Sequence, residues 1–146
     1  MAETRLLRRG FAATTTTQVP DEVWRRWTDP TTWGSWDQGL HSARLDRPFE
    51  PGARGVITGL DGRRSGFVVR EVVPRHRVAV EIPLPGAAMT LTRTLGGGEP
   101  APLEHAVRFT GPLGGVWSVL LGRWFRPLIG PTVDAVARPA DGAMST

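Results

Sequence analysis

The hydrophobic positions of the chain alternate between a strand period and a helix period. Residues 6–17 are rich in threonine and predict a strand, because β-branched side chains fit a pleated surface. From Pro20 an amphipathic stripe of valine and tryptophan predicts a short helix, with the proline in its first turn. Asp29–Pro30 repeats this start signal and predicts a second brief helix over residues 31–35.

The middle of the chain has the texture of an antiparallel meander, in which short apolar runs are separated by turn residues. Asp61–Gly62 is the clearest turn and favours a two-residue type I′ hairpin, which would pair Val56 with Phe67. Further strands are predicted over residues 66–73, 77–82, 87–95 and 103–110.

After Gly111–Pro112 the pattern becomes helical and predicts the longest element. Its apolar residues recur at steps of three or four, at Leu113, Trp117, Leu120, Trp124 and Leu128. Pro127 and Pro131 are expected to kink this helix, because each removes an amide donor, and Pro139 is expected to end it.

This order of elements predicts one α+β domain over residues 1–138, followed by a disordered tail over residues 139–146. The sheet is expected to be curved and antiparallel with about seven strands, and to be covered by the long C-terminal helix. One amphipathic helix cannot fill a strongly curved sheet. We therefore expect an internal cavity, lined by apolar and aromatic side chains, of the kind that binds small ligands.

The composition narrows the possible chemistry and setting. The 146 residues contain no cysteine and no tyrosine, and all 18 basic residues are arginine, which excludes thiol, phenol and lysine Schiff-base catalysis. The formal charge of +4 raises the question of nucleic acid, but arginines alternate with 14 acids, so no nucleic-acid partner is expected. No apolar run is long enough to insert into a membrane. Polar residues follow Arg8–Arg9 where an export signal needs apolar ones, so a cytoplasmic protein is predicted. The use of arginine in place of lysine, with 18 glycines and 13 prolines, is typical of a GC-rich bacterial genome.

Several motifs of the chain match a known family. They are Val19–Trp24, Thr28–Asp29, Trp33, Trp36, Phe49–Gly52, Glu71–Pro74 and Gly111–Leu113. They resemble the polyketide cyclase/dehydrase-like branch of the START-like (SRPBCC) superfamily, over about residues 11–137. The resemblance implies a helix-grip fold. Its motifs specify function poorly, since the superfamily includes aromatase/cyclases, lipid carriers, hormone receptors and chaperone activators.

Arg93 and His105 are the candidate catalytic residues. Strand alternation places each on an apolar face, and a hairpin centred on Glu99 would set them opposite each other. A concave face would make His105 a neutral base beside a guanidinium that holds a ligand carbonyl. The alternative is that both lie near the rim or on the outer face and satisfy each other or a carbonyl. The other histidines lack metal-ligand spacing, so no metal and no cofactor are predicted.

The tryptophans are interpreted in two ways. Trp33 and Trp36 are expected at the cavity mouth, whereas Trp117 and Trp124, at helical spacing, are either buried core or ligand contacts. Asp37 is either an exposed turn residue or, if desolvated, a base. The predicted ligand contacts are Trp33, Trp36, Phe67, Met89, Leu91, Val107, Phe109, Trp117, Leu120 and Trp124.

The leading functional hypothesis is a monomer or homodimer that binds a hydrophobic, aromatic or polyketide-like small molecule and catalyses its cyclisation or dehydration. A non-catalytic carrier or sensor of lipid-like ligands is the second hypothesis, because it needs the cavity but no titrating group. A chaperone-activator-like interaction module is the third, and it would depend on an exposed arginine-rich face.

Overall fold

The fold is built on one antiparallel sheet that curls around the C-terminal helix. The computed structural model describes residues 2–139, and within them the sheet has eight strands. The strands are β1 Glu3–Leu7, β2 Gly10–Thr17, β3 Leu40–Leu45, β4 Arg54–Gly59, β5 Arg64–Val73, β6 Arg77–Leu84, β7 Ala87–Leu95 and β8 Ala101–Thr110. Their order across the sheet is β1-β2-β8-β7-β6-β5-β4-β3.

In the described part of the chain three α-helices complete the fold: α1 Pro20–Thr28, α2 Trp33–Trp36 and α3 Gly114–Ala137. The helix-grip arrangement expected from the resemblance is confirmed. Pro20 lies in the first turn of α1, as predicted. The predicted second helix is a 3₁₀ turn, Pro30–Thr32, followed directly by α2. Asp29 caps that turn by accepting a hydrogen bond from the backbone N–H of Thr31.

The first predicted strand is in fact a hairpin, and this adds the eighth strand. Leu7 pairs with Gly10, so Arg8 and Arg9 form a two-residue turn between β1 and β2. Arg9 adopts a φ of 55°. Arginine rarely adopts this left-handed conformation, and no glycine, asparagine or aspartate marks the turn in the sequence. A single strand over residues 6–17 was therefore the wrong prediction.

The Asp61–Gly62 turn exists, but its predicted register is wrong by one residue. Phe67 pairs with Gly55, not with Val56. The backbone N–H of Gly62 donates to the carbonyl of Gly59, and only Gly62 of the turn has a positive φ, at 85°. A type I turn followed by a left-handed glycine adds one residue to the loop relative to a type I′ hairpin. Phe67 therefore shares its face of the sheet with Gly55 and Ile57 and not with Val56, and its side chain is buried.

α3 differs between its two halves. Its C-terminal half packs on the sheet through Ile129, Val133 and Val136, which are buried. Its N-terminal half is more exposed, and Trp124 is 73% exposed. The prediction that Trp124 belongs to the buried core is therefore wrong. The helical period predicted correctly which residues share one side of α3. At Trp124, however, the helix stands away from the sheet, so this side of the helix faces open space.

α3 continues through Pro127 and Pro131 and ends two residues before Pro139. The kink predicted at these prolines stays a prediction. No helix within residues 2–139 is long and apolar enough to cross a membrane. All but the first residue of the predicted C-terminal tail lie outside the described residues.

Candidate functional site

A cavity of about 660 Å³ lies between α3 and the concave face of the sheet. Most of its wall is apolar, and strands and helix both contribute. The sheet supplies Phe11, Leu40, Ile57, Ile82, Met89, Leu91 and Val107, and α3 supplies Trp117, Leu120, Leu121, Trp124, Phe125, Leu128 and Ile129. A cavity of this size and lining suits a small hydrophobic molecule.

One part of the wall is polar and combines residues from three elements. Arg93 of β7 pairs directly with His105 of β8, in the predicted register, and both side chains line the cavity. Arg93 is 3% exposed and His105 is 5% exposed. The alternative that placed them at the rim or on the outer face is therefore wrong. Asp37, from the loop after α2, lines the same cavity.

The guanidinium of Arg93 is buried without a hydrogen bond. The central carbon of the guanidinium, Cζ, lies 4.7 Å from the ring centre of Trp33 and 5.0 Å from that of Trp36. Both indoles therefore make cation–π contacts with the guanidinium. Its Nη2 is 3.7 Å from Oδ2 of Asp37, which is an ion-pair distance but too long for a hydrogen bond. No hydrogen bond within residues 2–139 involves the guanidinium of Arg93, and its Nη1 is fully buried.

Burial lowers the pKa of Arg93 to about 10, against the opposing attraction of Asp37. The side chain therefore stays protonated at neutral pH. A buried cation with no hydrogen-bond acceptor is rare, because desolvation of the unpaired donors is costly. The arrangement leaves Arg93 free to donate to an oxygen of a ligand.

His105 is held by Trp27 of α1. The indole N–H of Trp27 donates to Nε2 of His105 at 2.9 Å. An indole nitrogen can only donate, so Nε2 must be the unprotonated nitrogen and Nδ1 must carry the hydrogen of the neutral ring. Burial, aided by the positive charge of Arg93, lowers the pKa of His105 well below its ordinary value. The imidazole is therefore neutral, as predicted, but its lone pair is occupied, which conflicts with the predicted role of a base.

Asp37 is a candidate site residue whose burial the sequence did not predict. Its side chain is 18% exposed, its Oδ1 accepts from the backbone N–H of Gly39 at 2.9 Å, and its own N–H donates to the carbonyl of Trp33. The next residue, Gln38, donates its N–H to Oγ1 of Thr132 in α3. Burial raises the pKa of Asp37, although Arg93 and the Gly39 N–H oppose that rise. The prediction of an exposed turn aspartate is therefore wrong.

The predicted ligand contacts divide into two groups. Six of them line the cavity: Met89, Leu91, Val107, Trp117, Leu120 and Trp124. The other four lie outside its lining and are buried: Trp33, Trp36, Phe67 and Phe109. The predicted position of Trp33 and Trp36 at the cavity mouth is wrong, because their rings pack inward beneath Arg93. The ring of Trp33 also contacts that of Phe67 at a tilt of 40°, and its N–H donates to two backbone carbonyls.

The charged residues at the cavity opening, Asp61 and Arg63, belong to the β4–β5 turn. No group of three or more histidine, cysteine, aspartate or glutamate side chains within residues 2–139 could hold a metal ion. The polar wall can thus hydrogen-bond, attract charge and move a proton. Its candidate groups are Arg93, His105 and Asp37.

Comparisons with known proteins agree on the fold. The family model for polyketide cyclase/dehydrase and lipid transport matches residues 12–143. Protein NE0264 from Nitrosomonas europaea has a similar crystal structure, at 15% identity and a TM-score of 0.72, over 97% of this chain and 100% of its own. No curated protein matches the chain significantly.

Two further structures are similar over about half of their own length. The di-domain ARO/CYC StfQ, from the steffimycin biosynthetic pathway, matches with 10% identity and a TM-score of 0.69, covering 94% of this chain and 52% of its own. DynU16, a protein in the dynemicin biosynthetic locus, matches with 23% identity and a TM-score of 0.62, covering 88% of this chain and 47% of its own. At these identities the likeness establishes the fold alone.

Proposed function

This chain belongs to the polyketide cyclase/dehydrase and lipid transport family, and we propose that it binds an aromatic or polyketide-like ketone in its cavity and catalyses cyclisation or dehydration. The observation that carries the proposal is the buried guanidinium of Arg93, which has no hydrogen-bond partner within residues 2–139 and lines an apolar cavity. A structural arginine would be satisfied by protein acceptors. A ligand carbonyl would supply the acceptor that is missing.

The proposed chemistry starts with removal of a proton from a carbon next to a ligand carbonyl. Arg93 polarises that carbonyl and stabilises the negative charge that develops on its oxygen. Asp37, ionised, takes the proton, since it is the acidic side chain beside Arg93 and its raised pKa makes it a stronger base than an exposed carboxylate. The Nδ1–H of His105 is a second donor for the same oxygen or for a neighbouring one.

Ring closure then needs only the groups already present. The enolate carbon attacks a second carbonyl of the same folded ligand, a carbon–carbon bond forms, and the new alkoxide takes the proton back from Asp37. Loss of the hydroxyl as water, with loss of a proton from the adjacent carbon, gives the double bond of a dehydrated ring. The apolar wall would contribute by holding the flexible chain in a reactive fold.

A non-catalytic carrier remains the second candidate, and one observation favours it. The lone pair of His105 is occupied by Trp27, so the polar wall has one fewer base than the predicted pair would have supplied. A carrier would need the cavity and a hydrogen-bond donor, both of which are present. Proton transfer at a bound ketone separates the two candidates.

Deuterium exchange tests the proposal without a known substrate. The methyl protons of 2-acetylnaphthalene would be followed by proton NMR in heavy water, with and without the protein. We expect saturable acceleration of exchange by the wild type, and a loss of roughly 100-fold or more of that acceleration in Asp37→Asn. Glu71→Gln is the matched control, because Glu71 lies outside the cavity lining in an ion pair with Arg77. Saturable binding without acceleration would overturn catalysis and leave the carrier.

A further inference from the structure

The hydrogen bond from Trp27 fixes which atoms His105 offers to the cavity. Nε2 of His105 is occupied by the indole N–H at 2.9 Å. Trp27 is fully buried and its ring also contacts the imidazole, with centres 5.5 Å apart, so the indole has little freedom to leave. The hydrogen of the neutral imidazole is then confined to Nδ1.

Nδ1 of His105 has no acceptor within residues 2–139. In the same part of the chain, Nη1 of Arg93 is the only fully buried side-chain nitrogen or oxygen without a hydrogen-bond partner. Nδ1 of His105 also lacks a hydrogen-bond partner, but it is not fully buried. Part of its surface must therefore face open space. The open space beside His105 is the cavity, whose wall includes this residue.

Arg93 presents donors in the same way. Its Nε and Nη2 also have no hydrogen-bond partner, although Nη2 lies 3.7 Å from Oδ2 of Asp37, and neither atom is fully buried. This edge of the guanidinium therefore reaches open space as well. Arg93 and His105 pair across β7 and β8, and both lie against Trp36, whose ring centre is 5.9 Å from that of the imidazole. Two unsatisfied donor groups therefore meet at one place in an apolar wall, and neither offers a free acceptor.

We infer that Trp27 is a positioning residue that locks His105 as its Nδ1–H tautomer, and that the resulting donor pair of His105 and Arg93 selects ligands ending in an oxygen anion. The inference rests on the proposed binding of a ligand in the cavity and adds the chemistry of its polar end. Within residues 2–139 the charge of Arg93 is opposed only by Asp37, at 3.7 Å, so an anionic oxygen would complete its surroundings. Charged acceptors also form the stronger hydrogen bonds.

The tautomer is tested first, on the unaltered protein. Two-bond proton–nitrogen correlation spectra distinguish the nitrogen that carries the hydrogen in each histidine ring. We expect the ring of His105 to be neutral with hydrogen on Nδ1, and Trp27→Phe to shift it towards the Nε2–H form. Trp24→Phe is the control, because the indole N–H of Trp24 has no partner within residues 2–139. An Nε2–H ring in the wild type would overturn the inference by itself.

Ligand selection is tested with three molecules of nearly equal shape: 2-naphthoate, 2-acetylnaphthalene and 2-isopropylnaphthalene. Their affinities would be measured by displacement of the neutral fluorophore N-phenyl-1-naphthylamine. We expect the wild type to bind 2-naphthoate about tenfold more tightly than the hydrocarbon, and Trp27→Phe to lose most of that preference while Trp24→Phe keeps it. Asp37→Asn should bind 2-naphthoate several-fold more tightly, because it removes a competing negative charge from Arg93.

The results also separate this inference from the proposed function. If all three molecules bind saturably and 2-naphthoate shows no preference, the anion selection is wrong and ligand binding stands. If the fluorophore and all three molecules fail to bind, ligand binding itself is wrong and the inference falls with it. An unchanged preference in Trp27→Phe would show that the indole has no positioning role.

Discussion

Removing the buried charges of the polar wall should make the protein more stable while it loses its affinity for oxygenated ligands. The change we consider is the double variant Arg93→Met/Asp37→Asn. Methionine fills the space of the arginine stem without a charge, and asparagine keeps the oxygen that accepts from the Gly39 N–H. Both positions are changed because removing one member of a buried pair leaves the other uncompensated.

The size of the effect follows from the environment of Arg93. Burial lowers its pKa to about 10, and a shift of this size corresponds to about 3 kcal/mol of destabilisation of the charged form in the folded state. The stacking on Trp33 and Trp36 would be lost, which offsets roughly 1 to 2 kcal/mol. The double variant should therefore gain about 1 to 2 kcal/mol in free energy of unfolding, or roughly 3–6 °C in melting temperature.

Urea unfolding at pH 7 measures this free energy, and displacement of N-phenyl-1-naphthylamine by 2-acetylnaphthalene measures the loss of binding. The matched control is Arg70→Met/Glu81→Gln, because that ion pair is at the surface, with Arg70 57% exposed. The control should change stability by less than about 0.5 kcal/mol. A loss of stability of 2 kcal/mol or more in the Arg93 variant would refute the reasoning, since it would show that the guanidinium supports the fold.

Three further predictions concern single residues. As the pH falls from 7 to 5, His105 should lower the free energy of unfolding by up to about 1.4 kcal/mol per pH unit. The pKa of His105 is lowered in the folded state, so below about pH 6.5 the unfolded imidazole takes up a proton before the folded one does. His105→Gln should therefore lose less stability between pH 7 and pH 5, as measured by urea unfolding. The pKa of Asp37 is raised in the folded state, so its protonation favours the folded state as the pH falls, in the wild type and in His105→Gln alike. Trp124→Ala should cost less than about 1 kcal/mol but weaken fluorophore binding, whereas Trp33→Ala should cost about 3 to 5 kcal/mol by thermal unfolding. Thr132→Val should cost about 1 to 2 kcal/mol in the same assay, because the N–H of Gln38 loses its acceptor.

The parts of the fold that follow from local pattern could be predicted from the sequence. The pairing of Arg93 with His105 required only strand alternation and the position of the loop between β7 and β8. The start of α1 at Pro20 and the cap at Asp29 follow from backbone chemistry that acts within a few residues. Such signals are local and do not depend on what packs above them.

The parts that depend on packing between distant elements could not be predicted in this way. Asp37 is buried because its loop is tied to α3 through Gln38 and Thr132, residues that are far apart in the sequence. Trp124 is exposed because α3 stands away from the sheet, which helical spacing cannot reveal. The contact of Trp27 with His105 likewise joins α1 to β8, and it changes the imidazole from a base to a donor.

The central claim, that a hydrophobic ligand enters the cavity beneath α3, is tested most directly at Met89. The chain has three methionines, at positions 1, 89 and 144, and Met89 lines the cavity. In protein labelled with ¹³C at the methionine methyl groups, titration with 2-acetylnaphthalene should shift the Met89 signal saturably through the ring current of the ligand. An unmoved Met89 signal in protein that binds the ligand would place the ligand elsewhere and contradict the account.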